Sequence, residues 1–197
     1  MKRFLFIQCF FLVTLFTATA QNKPFVPIFN ETIKGDMIVV GNSILNKGSV
    51  RPANTPFNGY AQSNARIDMN YTDIDNDLST FNSSSAVVVE PASTCTKKVK
   101  KAYLYWSAAY TEERVKYQTN PKLERSKFKN VKFKVGNGAY HDLVGTAVFD
   151  DNVVLSSTGY WGADKGQKAY VYRTEVTNLL SGIGNTYTVA NMQAPYG

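Results

Sequence analysis

The chain has 197 residues with a net charge of +7, from 22 Lys and Arg against 15 Asp and Glu. It contains one histidine and two cysteines, too few soft ligands for a structural zinc site. Tyr and Phe, at 12 each, together with abundant Thr, Ser, Asn and Gly and no long Ala/Leu/Glu run, exclude a helical bundle and favour strands and turns.

The N-terminus reads as an export signal. Lys2 and Arg3 precede an apolar stretch from Phe4 to Phe16, and Thr17-Ala18-Thr19-Ala20 supplies the small residues of a cleavage site, which predicts a mature chain starting at Gln21. The apolar stretch is too short for a stable bilayer span and no later segment exceeds it, so no membrane span is expected in the mature protein. Residues 21–34, with Pro24 and Pro27, are expected to form an extended leader, and residues 35–197 a single domain. Cys95 is the one mature cysteine, which leaves a buried small hydrophobe or a partner beyond Gly197. Apolar strand character runs nearly to the last residue, so the domain is expected to continue past it.

The first strand candidate is Met37-Ile38-Val39-Val40, and a polar stretch with Pro and Gly reads as a loop over residues 46–64. In Arg66–Tyr71, Ile67, Met69 and Tyr71 share one face, the pattern of a half-buried strand. Ala86–Val89 is a further strand. Lys100–Ala109 is the strongest: Ala102, Leu104, Trp106 and Ala108 face one side and Tyr103 and Tyr105 the other, so a central position is expected. Val131, Phe133 and Val135 alternate with Lys132 and Lys134 before a tight turn at Gly136-Asn137-Gly138. Leu143–Phe149, Ala169–Arg173 and Thr186–Met192 complete the strands. Val176, Leu179 and Leu180 suggest one short helix, with Thr174 as its cap and Gly182 past its end. The expected fold is all-β, an antiparallel β-sandwich or jelly roll with one short helix.

Four groups of residues carry candidate chemistry. Val39-Val40-Gly41-Asn42-Ser43 resembles in outline the nucleophile block of GDSL-type hydrolases, whose second signature is Asp-x-x-His. Gly138 stands where that Asp would precede His141, so no catalytic residues are assigned and His141 reads as a solvated turn residue. The loop containing Asp73, Asp75 and Asp77 has carboxylates at alternate positions, which can converge on Ca²⁺ once the backbone curls. Leu78 and Ser84 stand where an EF-hand needs Gly and Glu. The alternative is a solvated turn in which Asp and Asn bond their own backbone. Arg114–Lys134 holds eight Lys and Arg with Glu124 as its one acid, either a solvated face or an electrostatic surface for anionic polysaccharide rather than nucleic acid. Tyr160 and Trp161, beside Gly162, would suit an aromatic platform for a carbohydrate or would cap the sandwich end.

Taken in order, several blocks resemble a known group: Gly35–Asn46, the YTDIDNDLSTFNSSSA run of Tyr71–Ala86, Cys95, the VKKAYLYWSAAY run of Val99–Tyr110, and Tyr170–Met192. Together they are similar to the N-terminal region of large cell-surface proteins of flavobacterial Bacteroidota, many of which end in a gliding-motility-associated or type IX secretion sorting domain. The resemblance implies export, display at the cell surface or release, and an adhesin-like role toward surface or matrix components. It carries over no catalytic residue and no cofactor. The reading is a non-catalytic secreted module, with a carbohydrate-binding module as the alternative and a hydrolase completed by further C-terminal sequence as a remote one.

Overall fold

The structure is a computed structural model that describes residues 26–46, 69–90, 96–150 and 168–195. The signal segment, Cys95, Tyr160 and Trp161 lie outside the described residues. The chain forms two compact units, residues 1–38 and 39–197. In the first unit, residues 26–38 form no regular element.

The second unit is all-β with little helix. Its strands are β1 (Leu45–Asn46), β2 (Asn70–Tyr71), β3 (Ser83–Val88), β4 (Tyr103–Tyr110), β5 (Asn130–Val135), β6 (His141–Val144), β7 (Thr146–Phe149), β8 (Lys168–Glu175) and β9 (Asn185–Ala190). All described ladders are antiparallel, in a four-stranded sheet ordered β3-β9-β5-β6, a three-stranded sheet β4-β8-β7, and the pair β1-β2. One core joins the larger sheets. Trp106, Tyr110, Tyr170 and Tyr172 come from β4 and β8, Val131 from β5, and Leu143 and Val189 pack in from β6 and β9. This is the expected sandwich.

Alternation explains the inward faces. In β4, Trp106 and Tyr110 are buried while Tyr105 is 51% exposed, and in β8 Tyr170 and Tyr172 are buried. Phe128 stacks on Tyr170 at 4.6 Å between ring centroids and meets Tyr110 edge-on at 4.9 Å. Such pairs contribute roughly 0.5–1.5 kcal/mol beyond the burial of their area.

The structure corrects several expectations. Met37–Val40 forms no strand; all four side chains are exposed, and the chain meets β3 through Asn42, whose amide donates to the Ser85 carbonyl at 2.9 Å. A strand needs a ladder partner for its backbone groups, and an apolar run alone does not provide one. Among the described residues β4 lies at the edge of its sheet rather than in its centre, and Tyr105 on its outer face is solvated. Of the proposed helix, only a 3-10 turn over Thr177–Leu179 exists, since Val176 is drawn into the core and its amide bonds to the Ala102 carbonyl at 2.9 Å. The helix is instead α1 (Glu112–Tyr117). The Thr111 hydroxyl accepts from the Arg114 amide, and Glu112 and Glu113 complement the first turn.

Leu143–Phe149 is two strands in different sheets. β6 pairs with β5, β7 pairs with β8, and the single residue Gly145 carries the chain across. Its amide donates to the Lys129 carbonyl at 2.7 Å. The Trp106 indole fills the space where a side chain would be: a Cβ on Gly145 would collide with Cη2, lie 2.6 Å from Cζ2, and lie 2.9 Å from Tyr172 Cβ. Trp106 is held in turn, as its Nε1 donates to the Phe128 carbonyl at 2.8 Å. Gly145→Ala should therefore lower the unfolding free energy by about 1–3 kcal/mol, the cost of overpacking a closed core. Urea unfolding checks this, and an unchanged midpoint would contradict the packing described.

Candidate functional site

The acidic loop joins β2 to β3 and is shaped first by its own backbone. Asp73 Oδ1 accepts from the Asn76 amide at 3.3 Å, and Asp77 Oδ1 accepts from the Ser79 amide at 2.8 Å. Asn76 takes a positive φ of 51°, a conformation that Asn tolerates better than most residues. These are the self-bonding turns of the alternative reading, and Asp75 joins them, its Oδ1 accepting from the Asp77 amide at 3.4 Å.

Asp75 turns inward. Its Oδ1 faces the Ser83 hydroxyl at 2.8 Å, and that hydroxyl also lies 3.0 Å from Asp73 Oδ1 while accepting from the Ile74 amide. Its Oδ2 takes the Lys134 ammonium at 2.8 Å and a short hydrogen bond from the Tyr140 hydroxyl. Lys134 Nζ lies 4.4 Å from the centre of the Tyr140 ring, so one cation serves a carboxylate and an aromatic face. The Lys134 and Asp75 side chains are 18% and 15% exposed. The site thus gathers Asp75, Ser83, Lys134 and Tyr140 from the loop, β3, β5 and the segment before β6. Among the described residues, no group of three or more His, Cys, Asp or Glu side chains is arranged to hold a metal. A calcium ion bound at Asp75 would have to displace the Lys134 ammonium.

Burial opposes ionisation of Asp75. The Lys134, Tyr140 and Ser83 side chains and the Asp77 amide outweigh it and hold the carboxyl well below its usual range. Burial, and then the bond to Asp75, push the Tyr140 hydroxyl up.

A second polar network lies where α1, the loop before β5 and the end of β7 meet. Arg125 contacts Asp150 at 2.7 Å and Glu112 at 3.4 Å, and Lys168 contacts Glu112 at 2.8 Å. Tyr172 donates to Asp150, and burial followed by that bond pushes its hydroxyl up to about 12. Sequence reading missed this set. Its members are scattered from residue 112 to residue 172, and the one available signal was an Arg and several Tyr beside apolar positions.

His141 opens β6 with its side chain exposed. Ser43 closes a local turn, its hydroxyl donating to the Leu45 carbonyl at 2.7 Å. Of the eight basic residues in Arg114–Lys134, Arg125, Lys127, Lys132 and Lys134 are paired with Glu112 and Asp150, Glu124, Asp142 and Asp75 respectively. Arg125, Lys132 and Lys134 are thus neutralised by acids from outside the segment, and Lys127 by the segment's own Glu124. No family model, curated protein or solved structure matches this chain.

The Asp75 carboxyl ionises more readily folded than unfolded. Its stabilising effect is therefore complete above the ordinary value of 3.8 and is lost as the pH falls below it. Lys134→Met should cost roughly 1–3 kcal/mol at neutral pH. Asp75→Asn should flatten the loss of stability on acidification, measured by urea unfolding over a series of acidic buffers. An acid limb as steep as the parent's would show that the stabilising charge lies elsewhere.

Proposed function

We propose that the chain is a secreted, non-catalytic structural and adhesion module of a cell-surface protein. The observation that carries this reading is how the polar side chains are used. Asp75–Lys134 and Asp150–Arg125–Glu112–Lys168 tie segments distant in sequence, and the buried Asn82 amide exchanges two hydrogen bonds with the Met192 backbone, at 2.8 and 3.0 Å. The two residues a hydrolase would need, Ser43 and His141, are a local turn closer and an exposed strand residue. Secretion rests on the Lys2–Ala20 pattern, and the surface role on the residue blocks of the resemblance. Among the described residues, no helix is long and apolar enough to cross a membrane.

Expressed with its own N-terminus in a Gram-negative host, the chain should be exported and begin at Gln21 on N-terminal sequencing. The purified product should be retained on cells or abiotic surfaces and leave ester and glycoside substrates unchanged. Turnover that disappears in Ser43→Ala or His141→Ala would overturn the non-catalytic reading.

A further inference from the structure

An open sheet edge presents unpaired N–H and C=O groups that template pairing with another strand, and folded domains blunt such edges. Among the described residues the two large sheets have four edges, and three of them are blunted. Asn42 bonds across the outer side of β3 at Ser85. β6 is four residues long with exposed His141 and Asp142, and β7 is four residues long with a bulge between Ala147 and Phe149. β4 differs in every respect. Its eight residues run in unbroken register with β8, and Ala102–Tyr110 contains no charge, proline or glycine. Tyr105, Ser107 and Ala109 are exposed on its outer face, and inward-facing Leu104 and Ala108 are only half-buried. Among the described residues, the β4 backbone bonds to no backbone group outside β8.

We propose that β4 pairs antiparallel with β4 of a second copy of this chain, merging the two three-stranded sheets about a two-fold axis at Ser107. Charge selects the occupant and the direction. Lys100 and Lys101 precede β4, while Glu112 and Glu113 follow it. Antiparallel self-pairing brings the lysines of each copy toward the glutamates of the other, whereas parallel pairing would bring lysines to lysines. Lys101 already bonds Glu175, and Glu112 already bonds Lys168, within one copy. The complementarity is therefore one of electrostatic field, added to the backbone ladder.

Side-chain size selects the register. Directly opposed residues of an antiparallel ladder share a face, so odd positions meet odd and even meet even. Centring on Ser107 opposes two small side chains at the axis, Tyr105 to Ala109, Trp106 to Ala108 and Leu104 to Tyr110. Large meets small at the two steps next to the axis, Trp106 with Ala108 and Tyr105 with Ala109. Centring on Trp106 would oppose two indoles whose surroundings are already filled by Tyr172 and Gly145. Such a closed two-fold contact is self-complementary and does not propagate into fibres.

Sedimentation velocity of the mature chain at rising concentration should show a reversible monomer–dimer equilibrium. Ser107→Lys and Ser107→Glu each alter an exposed side chain, so both should keep the parent's circular dichroism spectrum and unfolding midpoint. Each alone sets like charges against each other at the axis and should weaken the dimer about fivefold. An equimolar mixture of the two should restore it, because Lys then opposes Glu. A parent chain that stays monomeric at its highest soluble concentration, or a dimer unaffected by either variant, would overturn the proposal.

Discussion

The contact of the Trp106 indole with Gly145 is the constraint on which the sandwich depends. β6 belongs to one sheet and β7 to the other, yet only Gly145 separates them. The two sheets must therefore approach within one residue's reach at that point, and whatever fills the gap must be flat and held. Trp106 meets both needs. It stacks near Tyr172 on the neighbouring strand at 6.1 Å between centroids, and its ring N–H is fixed to the Phe128 carbonyl. That bond also sets where Phe128 sits, and Phe128, fully buried, touches Tyr110 and Tyr170. One hydrogen bond thus links the sheet crossing to the rest of the aromatic core.

Tyrosine as a core residue brings a hydroxyl that needs a partner. Tyr170 donates to the Gln193 carbonyl at 2.6 Å, Tyr71 donates to the Ala194 carbonyl, and Tyr172 donates to Asp150. These bonds recruit the segment after β9 and the end of β7 to the core. The Tyr110 hydroxyl is the exception: among the described residues it has no hydrogen-bond partner, and Arg125 lies above its ring at 5.6 Å. The polar networks at Asp75 and Asp150 follow the same logic on a larger scale. In each, a partly buried carboxylate is satisfied by a cation and a tyrosine that come from separate elements.

Local periodicity made much of this legible. β5, β8 and β9 lie where alternation places them, and the face assignment of β4 is correct residue by residue. What periodicity cannot carry is which neighbour a strand has. An apolar-and-aromatic strand reads as central, but Tyr105 shows that an aromatic residue can equally cover a solvated outer face. The run from Leu143 to Phe149 gave no sign of a break except Gly145, whose meaning depends on an indole 39 positions away in the chain. α1 lacks an apolar stripe, having no buried residue, and its only sequence mark was Thr111 followed by two glutamates. The candidate site was half legible for a similar reason. Asp73, Asp75 and Asp77 each accept from an amide two or three residues on, but Asp75 is also paired with Lys134, 59 residues on.

The Trp106 ring is locked at the sheet crossing, and the exchange of its indole N–H with deuterated solvent tests this most directly. The ring is 4% exposed and its proton is committed to Phe128, so exchange should require global opening and slow in step with measured unfolding stability. Exchange of the Trp106 proton at the rate of a free indole under native conditions would mean the crossing is open, and the sandwich built upon it would not stand.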